Sequence, residues 1–260
     1  MAVTDDDFDP HALDEDEFVD EVQTFEFWFG AVEGYLADTS YGRRVDTIDL
    51  TLDESRRDRL ITTLCNYCVG ETAALEGASG LVRLAPNRNA KVFMATQVVD
   101  EARHLEVFLH RLKELGVADP EAEIAKRANP ALLDFKQALL DLVDAGDWNA
   151  AVFAQNVVLE TMEFTVFRTH AADADPVTAE ILEGVISDER RHFGFGENSL
   201  GRQLTDHPIL RPHLQRIRNQ LDPIVLDVFG GALSDIDAPN ESRERLGRDY
   251  LATIERLGLT

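Results

Sequence analysis

Glutamate and histidine recur at one spacing in two places along this 260-residue chain. Asp100-Glu101-Ala102-Arg103-His104 and Asp188-Glu189-Arg190-Arg191-His192 both read Asp-Glu-x-Arg-His. Residues three apart on a helix project from one face, so each word presents a carboxylate and an imidazole side by side. A two-metal centre inside a helix bundle uses such a Glu-x-x-His pair from each of two helices and one further Glu from each of two others. Glu71 and Glu160 are the candidates for those further positions. Glu71 interrupts an apolar helical stripe of Ile61, Leu64, Cys68, Leu75 and Ala78, and Glu160 interrupts one of Phe153, Val157, Phe164 and Phe167. A carboxylate in such a stripe is costly to bury unless it is paired or bound to metal. The intervals also repeat, 30 residues from Glu71 to Glu101 and 29 from Glu160 to Glu189. A single Glu-x-x-His is ordinarily a solvated or capping pair; its duplication, each copy following a stripe Glu, argues for metal. Four carboxylates and two imidazoles suit two Fe ions, with a Mn/Fe pair as the variant. Glu163, one turn beyond Glu160, competes for the same place as an extra ligand or a neighbour of the ligands.

These residues must be positioned by helices. Thr51 with Glu54 reads as a capping box opening a helix to about Gly80, and Pro86-Asn87 precedes a second helix that stops at Gly116. Asp119-Pro120 and Asn129-Pro130 each supply an N-cap followed by proline at the first helical position, giving two shorter helices. Asp147 opens a long helix to about Ala172, and Asp175-Pro176 another to about Leu204. Two more are expected, from about Pro208 to Phe229 with a bend at Pro223, and from about Asn240 to Leu257. No alternating strand pattern is present. The expected class is all-α, and the doubled ligand pattern resembles that of a ferritin-like four-helix bundle, here with additional N- and C-terminal helices. An acidic tail over 1–13 precedes a single domain over 14–260 with its metal-binding core at about 52–204, and residues 14–37 form an aromatic-rich amphipathic stretch.

The formal net charge is −24, and lysine supplies only Lys91, Lys113, Lys126 and Lys136 of the 25 basic residues. Such a surface repels nucleic acid and anionic membranes, so neither is an expected partner. It suits a high-salt cytoplasm, while the arginine bias also fits a GC-rich genome. No apolar run approaches the roughly 20 residues of a membrane helix, and the expected location is cytoplasmic. Cys65 and Cys68 are too few for a disulfide framework or a zinc site. They read as core, with Cys68 close enough to Glu71 to line a pocket. His11, His110, His170, His207 and His213 carry no ligand pattern and read as surface or unassigned positions.

Over residues 55–200 the chain resembles the ferritin-like di-iron oxidase superfamily, especially the branch of bacterial multicomponent monooxygenase hydroxylases and ribonucleotide reductase small subunits. The resemblance rests on the two Asp-Glu-x-Arg-His words. It implies that Glu101 and Glu189 bridge the metals, with Glu71 and Glu160 terminal. It also implies that Asp100 and Asp188 fix the imidazole N–H groups, with Arg103 and Arg191 balancing those aspartates. Departures narrow the branch. Phe108 stands where radical-forming reductase subunits carry tyrosine, Gln155 where related ligand-binding oxidases carry a cross-linking tyrosine, and Val185 where aminobenzoate-type N-oxygenases add a histidine.

The expected function is therefore that of a non-haem di-iron oxidase or oxygenase. It would use O₂ to oxidise a small organic substrate by hydroxylation, N-oxygenation or desaturation. Electrons would come from a separate ferredoxin or flavin reductase, since the chain has no Gly-rich dinucleotide fingerprint and no cysteine cluster. A homodimer is an accessible assembly. The alternative is a ferroxidase or iron-handling ferritin-like protein, and a third reading is a metal-free helical interaction protein.

Overall fold

The computed structural model describes Trp28 and residues 40–260. The expected acidic tail and, apart from Trp28, the aromatic stretch over 14–37 lie outside the described residues. Among the described residues the regular structure is helical throughout: α1 (Glu54–Leu84), α2 (Arg88–Glu114), α3 (Pro120–Arg127), α4 (Pro130–Asp144), α5 (Trp148–Val152), a π-helical segment (Phe153–Leu159), α6 (Glu160–Ala171), α7 (Pro176–Asp206), α8 (Arg211–Asp235) and α9 (Asn240–Arg256). Of two 3₁₀ turns, Ser40–Gly42 precedes α1 and Pro208–Leu210 joins α7 to α8.

The helix starts follow their capping chemistry. Asn87 accepts from the N–H of Ala90, Asp119 from Ala122, Asn129 from Ala131, Asp147 from Ala150, and Asp175 from both Val177 and Thr178. Each such cap satisfies a backbone donor that the helix leaves free and stabilises it by about 1 kcal/mol. The first helix departs from expectation. Its cap is Asp53, accepting from Arg56 N at 2.9 Å, rather than Thr51. It also runs past Gly80 to Leu84, stopping only where Pro86 follows. Gly116 ends α2 with φ +85°, the left-handed conformation that favours glycine. Pro223 lies inside α8, which continues past it to Asp235.

Four segments form the bundle that carries the candidate ligands: α1 packs along α2, and the π segment with α6 packs along α7. Helix α4 covers α1, α8 lies over α4, and α9 leans on α6. The core is continuous from Leu64 and Leu81 through Phe93, Phe108 and Leu112 to Phe153, Phe167 and Phe195. The stretch over 45–50 is a connector, as its sequence indicates. It is pinned by Arg111, a fully buried guanidinium that donates to both oxygens of Asp49, at 2.8 and 2.9 Å, and to the Asp175 cap at 3.0 Å.

Candidate metal centre

Helix α1 brings Glu71 to the bundle interior, α2 brings Glu101 and His104, α6 brings Glu160, and α7 brings Glu189 and His192. All six side chains are 0% exposed. They form two overlapping groups, Glu71–Glu101–His104–Glu189 and Glu101–Glu160–Glu189–His192, and within each group one ligand atom per residue lies within 4.8 Å of all the others. Glu101 and Glu189 belong to both. Glu71 with His104 flanks one side and Glu160 with His192 the other.

Both imidazoles point the same nitrogen inward. His104 Nδ1 lies 3.1 Å from Glu101, 3.2 Å from Glu71 and 3.2 Å from Glu189. His192 Nδ1 lies 3.2 Å from both Glu101 and Glu189 and 3.5 Å from Glu160. The outward nitrogens are held by aspartates in a crossed arrangement: His104 Nε2 is 3.1 Å from Asp188, and His192 Nε2 is 3.3 Å from Asp100. Each Asp-Glu-x-Arg-His word thus supports the histidine of the other. The arginines cross in the same way. Arg191 donates to Asp100 at 2.6 Å and Arg103 pairs with Asp188. Arg191 also donates to Thr96 and lies over the Phe93 ring, and Trp28 donates its indole N–H to Asp100 at 2.9 Å.

The carboxylates are crowded where no water screens them. Burial pushes Glu71 up to about 7. Burial, and then the charge of Glu160, holds Glu189 well above the usual carboxylate range. Burial pulls both histidines down, but the surrounding carboxylates outweigh it and hold them well above the usual value. Burial works against ionising Asp100 too, yet its bond to His192 and the Arg191 charge hold it well below the ordinary range.

The donor set fits a pair of cations. Glu71 Oε1, Glu160 Oε2 and Glu189 Oε1 are buried and accept no hydrogen bond, a costly state for carboxylate oxygens unless a cation faces them. Four carboxylates carry up to four negative charges, which two divalent ions would offset, and neutral imidazoles would complete the donor set. With Nε2–H directed at aspartate, each histidine would bind a cation through Nδ1, which gives up its proton to the incoming metal.

The family model for methane/phenol/alkene hydroxylases matches residues 38–201, a span that contains all six residues. The chain belongs to this hydroxylase family. Membership makes it an oxidoreductase and bears out the expected superfamily. Solved structures share its ferritin-like helical fold. A single-substitution mutant of an R2-like ligand-binding oxidase, with an anaerobically reconstituted Mn/Fe cofactor, superposes with a TM-score of 0.73 at 16% identity, covering 91% of this chain and 93% of that one. A second mutant of an R2-like ligand-binding oxidase gives 0.71 at 17%, covering 91% and 94%. A Synechococcus protein with aldehyde deformylating oxidase activity gives 0.66 at 17%, covering 80% and 93%. At such identities the likeness is one of fold.

In this hydroxylase-family chain, the π segment supplies residues that helical periodicity passes over. The Glu160 N–H bonds back to the carbonyl of Gln155, five residues earlier, which puts positions 155 and 160 on one face. Gln155 Nε2 donates to Glu160 Oε1 at 2.7 Å. Gln97 donates to the same oxygen at 2.7 Å and to Glu101 at 2.9 Å, and Asn156 donates to Gln97 Oε1 at 2.8 Å. These three amides fix the Glu160 side of the centre. Gly196 on α7 lets the π segment come close, since a Cβ there would lie 2.7 Å from the Asn156 backbone.

Glu163 falls in neither ligand group. It sits beside Gly70 at the edge of an apolar cavity lined by Tyr67, Leu159, Met162 and Phe167. Burial, then the charges of Glu71 and Glu160, holds its carboxyl well above the ordinary range. Cys68 does not line this cavity; both cysteines are free and buried in the core. His170, expected at the surface, instead packs inward against Tyr67.

Proposed function

We propose that the chain is a non-haem di-iron oxidase or oxygenase, or its Mn/Fe counterpart, that uses O₂ to oxidise a small apolar organic substrate. One observation carries this reading: two ligand groups share Glu101 and Glu189 beside an apolar cavity bounded by Glu163. Glu71 and His104 would hold one ion, Glu160 and His192 the other, and Glu101 and Glu189 would bridge them. When bound, the pair would supply a redox centre that reacts with O₂.

The chain's own residues determine what that centre can do. Asp188 and Asp100 keep the Nε2 protons of the histidines in place, so both Nδ1 atoms remain donors to metal. Gln97, Gln155 and Asn156 orient the Glu160 and Glu101 carboxylates. Glu163, whose Oε2 accepts no hydrogen bond, lies at the cavity edge, where burial raises its carboxyl above the ordinary range and sets an acid–base group beside the cavity. The apolar walls exclude water, which protects a strong oxidant from side reactions. The cavity volume is about 50 Å³, well below the ~150 Å³ that accommodates benzene. The resting walls therefore suit O₂ and a narrow aliphatic fragment, and an aromatic substrate would have to displace side chains. Electrons would arrive from a separate ferredoxin or flavin reductase. An apolar cavity also favours an organic substrate over the ferroxidase alternative, in which hydrated iron would have to enter.

The test is to load Fe(II) without oxygen, admit O₂ and follow the optical spectrum with O₂ uptake. A transient coupled to O₂ consumption, and oxygenated or desaturated product from short aliphatic compounds, is expected. Stable Fe(II) in the presence of O₂ would overturn the reading.

A further inference from the structure

Tyr67 lies on α1 four residues before Glu71, one helical turn or about 6 Å of axial rise away. Its side chain is buried, and its ring packs against Phe108 with centroids 5.4 Å apart and edge-on to Phe167 at 4.7 Å. It lines the apolar cavity together with Glu163. Asn66 and Asp235 also line the cavity, and the phenol Oη lies 2.9 Å from His170 Nδ1. His170 in turn lines a second, wider groove with Leu50, Arg59, Asp173 and Pro239. The imidazole therefore stands between the phenol and an opening to solvent.

Packing does not require this pair, because phenylalanine would fill the same space. The hydroxyl and its histidine add one capability, the loss of a proton along a preformed hydrogen bond. Burial brings His170 down to about 4 and pushes the Tyr67 phenol up. At neutral pH the phenol is thus the donor and the neutral imidazole the acceptor. Other described tyrosines lack this setting: Tyr250 donates to Asp222, and Tyr41 is 49% exposed; neither lines the cavity.

We propose that Tyr67, with His170 as its proton acceptor, is a one-electron donor to the metal pair after that pair has been oxidised by O₂. The proposal rests on the metal-pair reading above. In the step, Tyr67 gives one electron to the oxidised pair, which is reduced by one, and its phenolic proton crosses to His170 Nδ1. A neutral tyrosyl radical and an imidazolium remain. One electron from the external reductant, with the return of that proton, restores the phenol. A tyrosine radical cation is a far stronger acid than imidazolium, so the transfer runs downhill even to a histidine with a low pKa. Tyr67 would thereby supply an electron when the cavity holds no substrate.

The experiment is freeze-quench electron paramagnetic resonance on Fe(II)-loaded full-length protein mixed with O₂, with iron content measured on each sample. A tyrosyl signal is expected in the wild type, retained in the Tyr35→Phe/Tyr41→Phe/Tyr250→Phe variant and lost in Tyr67→Phe at unchanged iron content. In His170→Gln the signal should rise more slowly. If Tyr67→Phe does not fold, the triple variant still decides, since Tyr67 is its only tyrosine. Iron that binds and is oxidised without a tyrosyl signal in the wild type or the triple variant would overturn the proposal while leaving the metal reading intact. A signal that survives Tyr67→Phe but vanishes in Trp28→Phe would overturn it as well. Failure to bind iron would overturn the metal reading, and this proposal with it.

Discussion

His104 and His192 are each held by the aspartate of the other motif, so the two words act as one reciprocal unit across α2 and α7. The carboxylates and imidazoles can be read from their types and spacing. The crossing cannot, because each word offers its own histidine an equally plausible aspartate, and only the approach of two helices decides between them. Losing such a support typically costs 10- to 100-fold in metal affinity. Asp188→Ala is accordingly expected to weaken metal binding by about that factor through His104, although His104 belongs to the other word; isothermal titration with Mn(II) measures it. Unchanged affinity would mean the contact does not orient the ligand. His170 gives a second prediction. Its folded pKa of about 4 lies below the ordinary 6.5, so between those values the unfolded chain binds a proton that the folded chain does not. Stability must then fall as pH drops through that window. Thermal melts of His170→Gln should show a shallower loss between pH 6.5 and 4 than the wild type.

At the level of elements, the helix starts at Asn87, Asp119, Asn129, Asp147 and Asp175 are legible, because capping is local chemistry. Asp53 and Thr51 both stand just before the same apolar run, and only the backbone conformation separates the true cap from its rival. The π segment is hidden for a different reason. A 3.6-residue period carried through Phe153–Leu159 passes over it, whereas the bonding there spans five residues and brings Gln155 onto the Glu160 face. Gly196, one turn after His192, shares α7 with Gly184, Gly194 and Gly201, so only the approach of the π segment singles it out. In Gly196→Ala the new Cβ would meet Asn156 Cβ at 2.6 Å and its backbone at 2.7 Å. The expected cost is about 1–3 kcal/mol, read by denaturant titration, with weaker metal retention because Asn156 and Gln97 shift together. Full stability in that variant would contradict the close approach of these two segments.

For the whole molecule, the all-α class and the ferritin-like bundle follow from periodicity and from the doubled ligand words, which a bundle alone can bring together. What the sequence leaves open is the volume beside the centre, since Tyr67, Met162, Glu163 and Phe167 meet there only through packing. The net charge of −24 acts on the molecule as a whole. Like charges repel across the folded surface, and salt shortens their reach from about 10 Å at 0.1 M to about 3 Å at 1 M. Tm is therefore expected to rise over that range in KCl, and a steady fall would show that favourable surface pairs outweigh the repulsion. No helix among the described residues is long and apolar enough to cross a membrane. The six residues are proposed to form one two-metal site. Anaerobic Fe(II) titration, with bound metal counted after gel filtration, tests it most directly. Two ions per chain are expected for the two ligand groups, with reduced content in both His104→Ala and His192→Ala. Fewer than two ions in the wild type, or unchanged content in both variants, would contradict it.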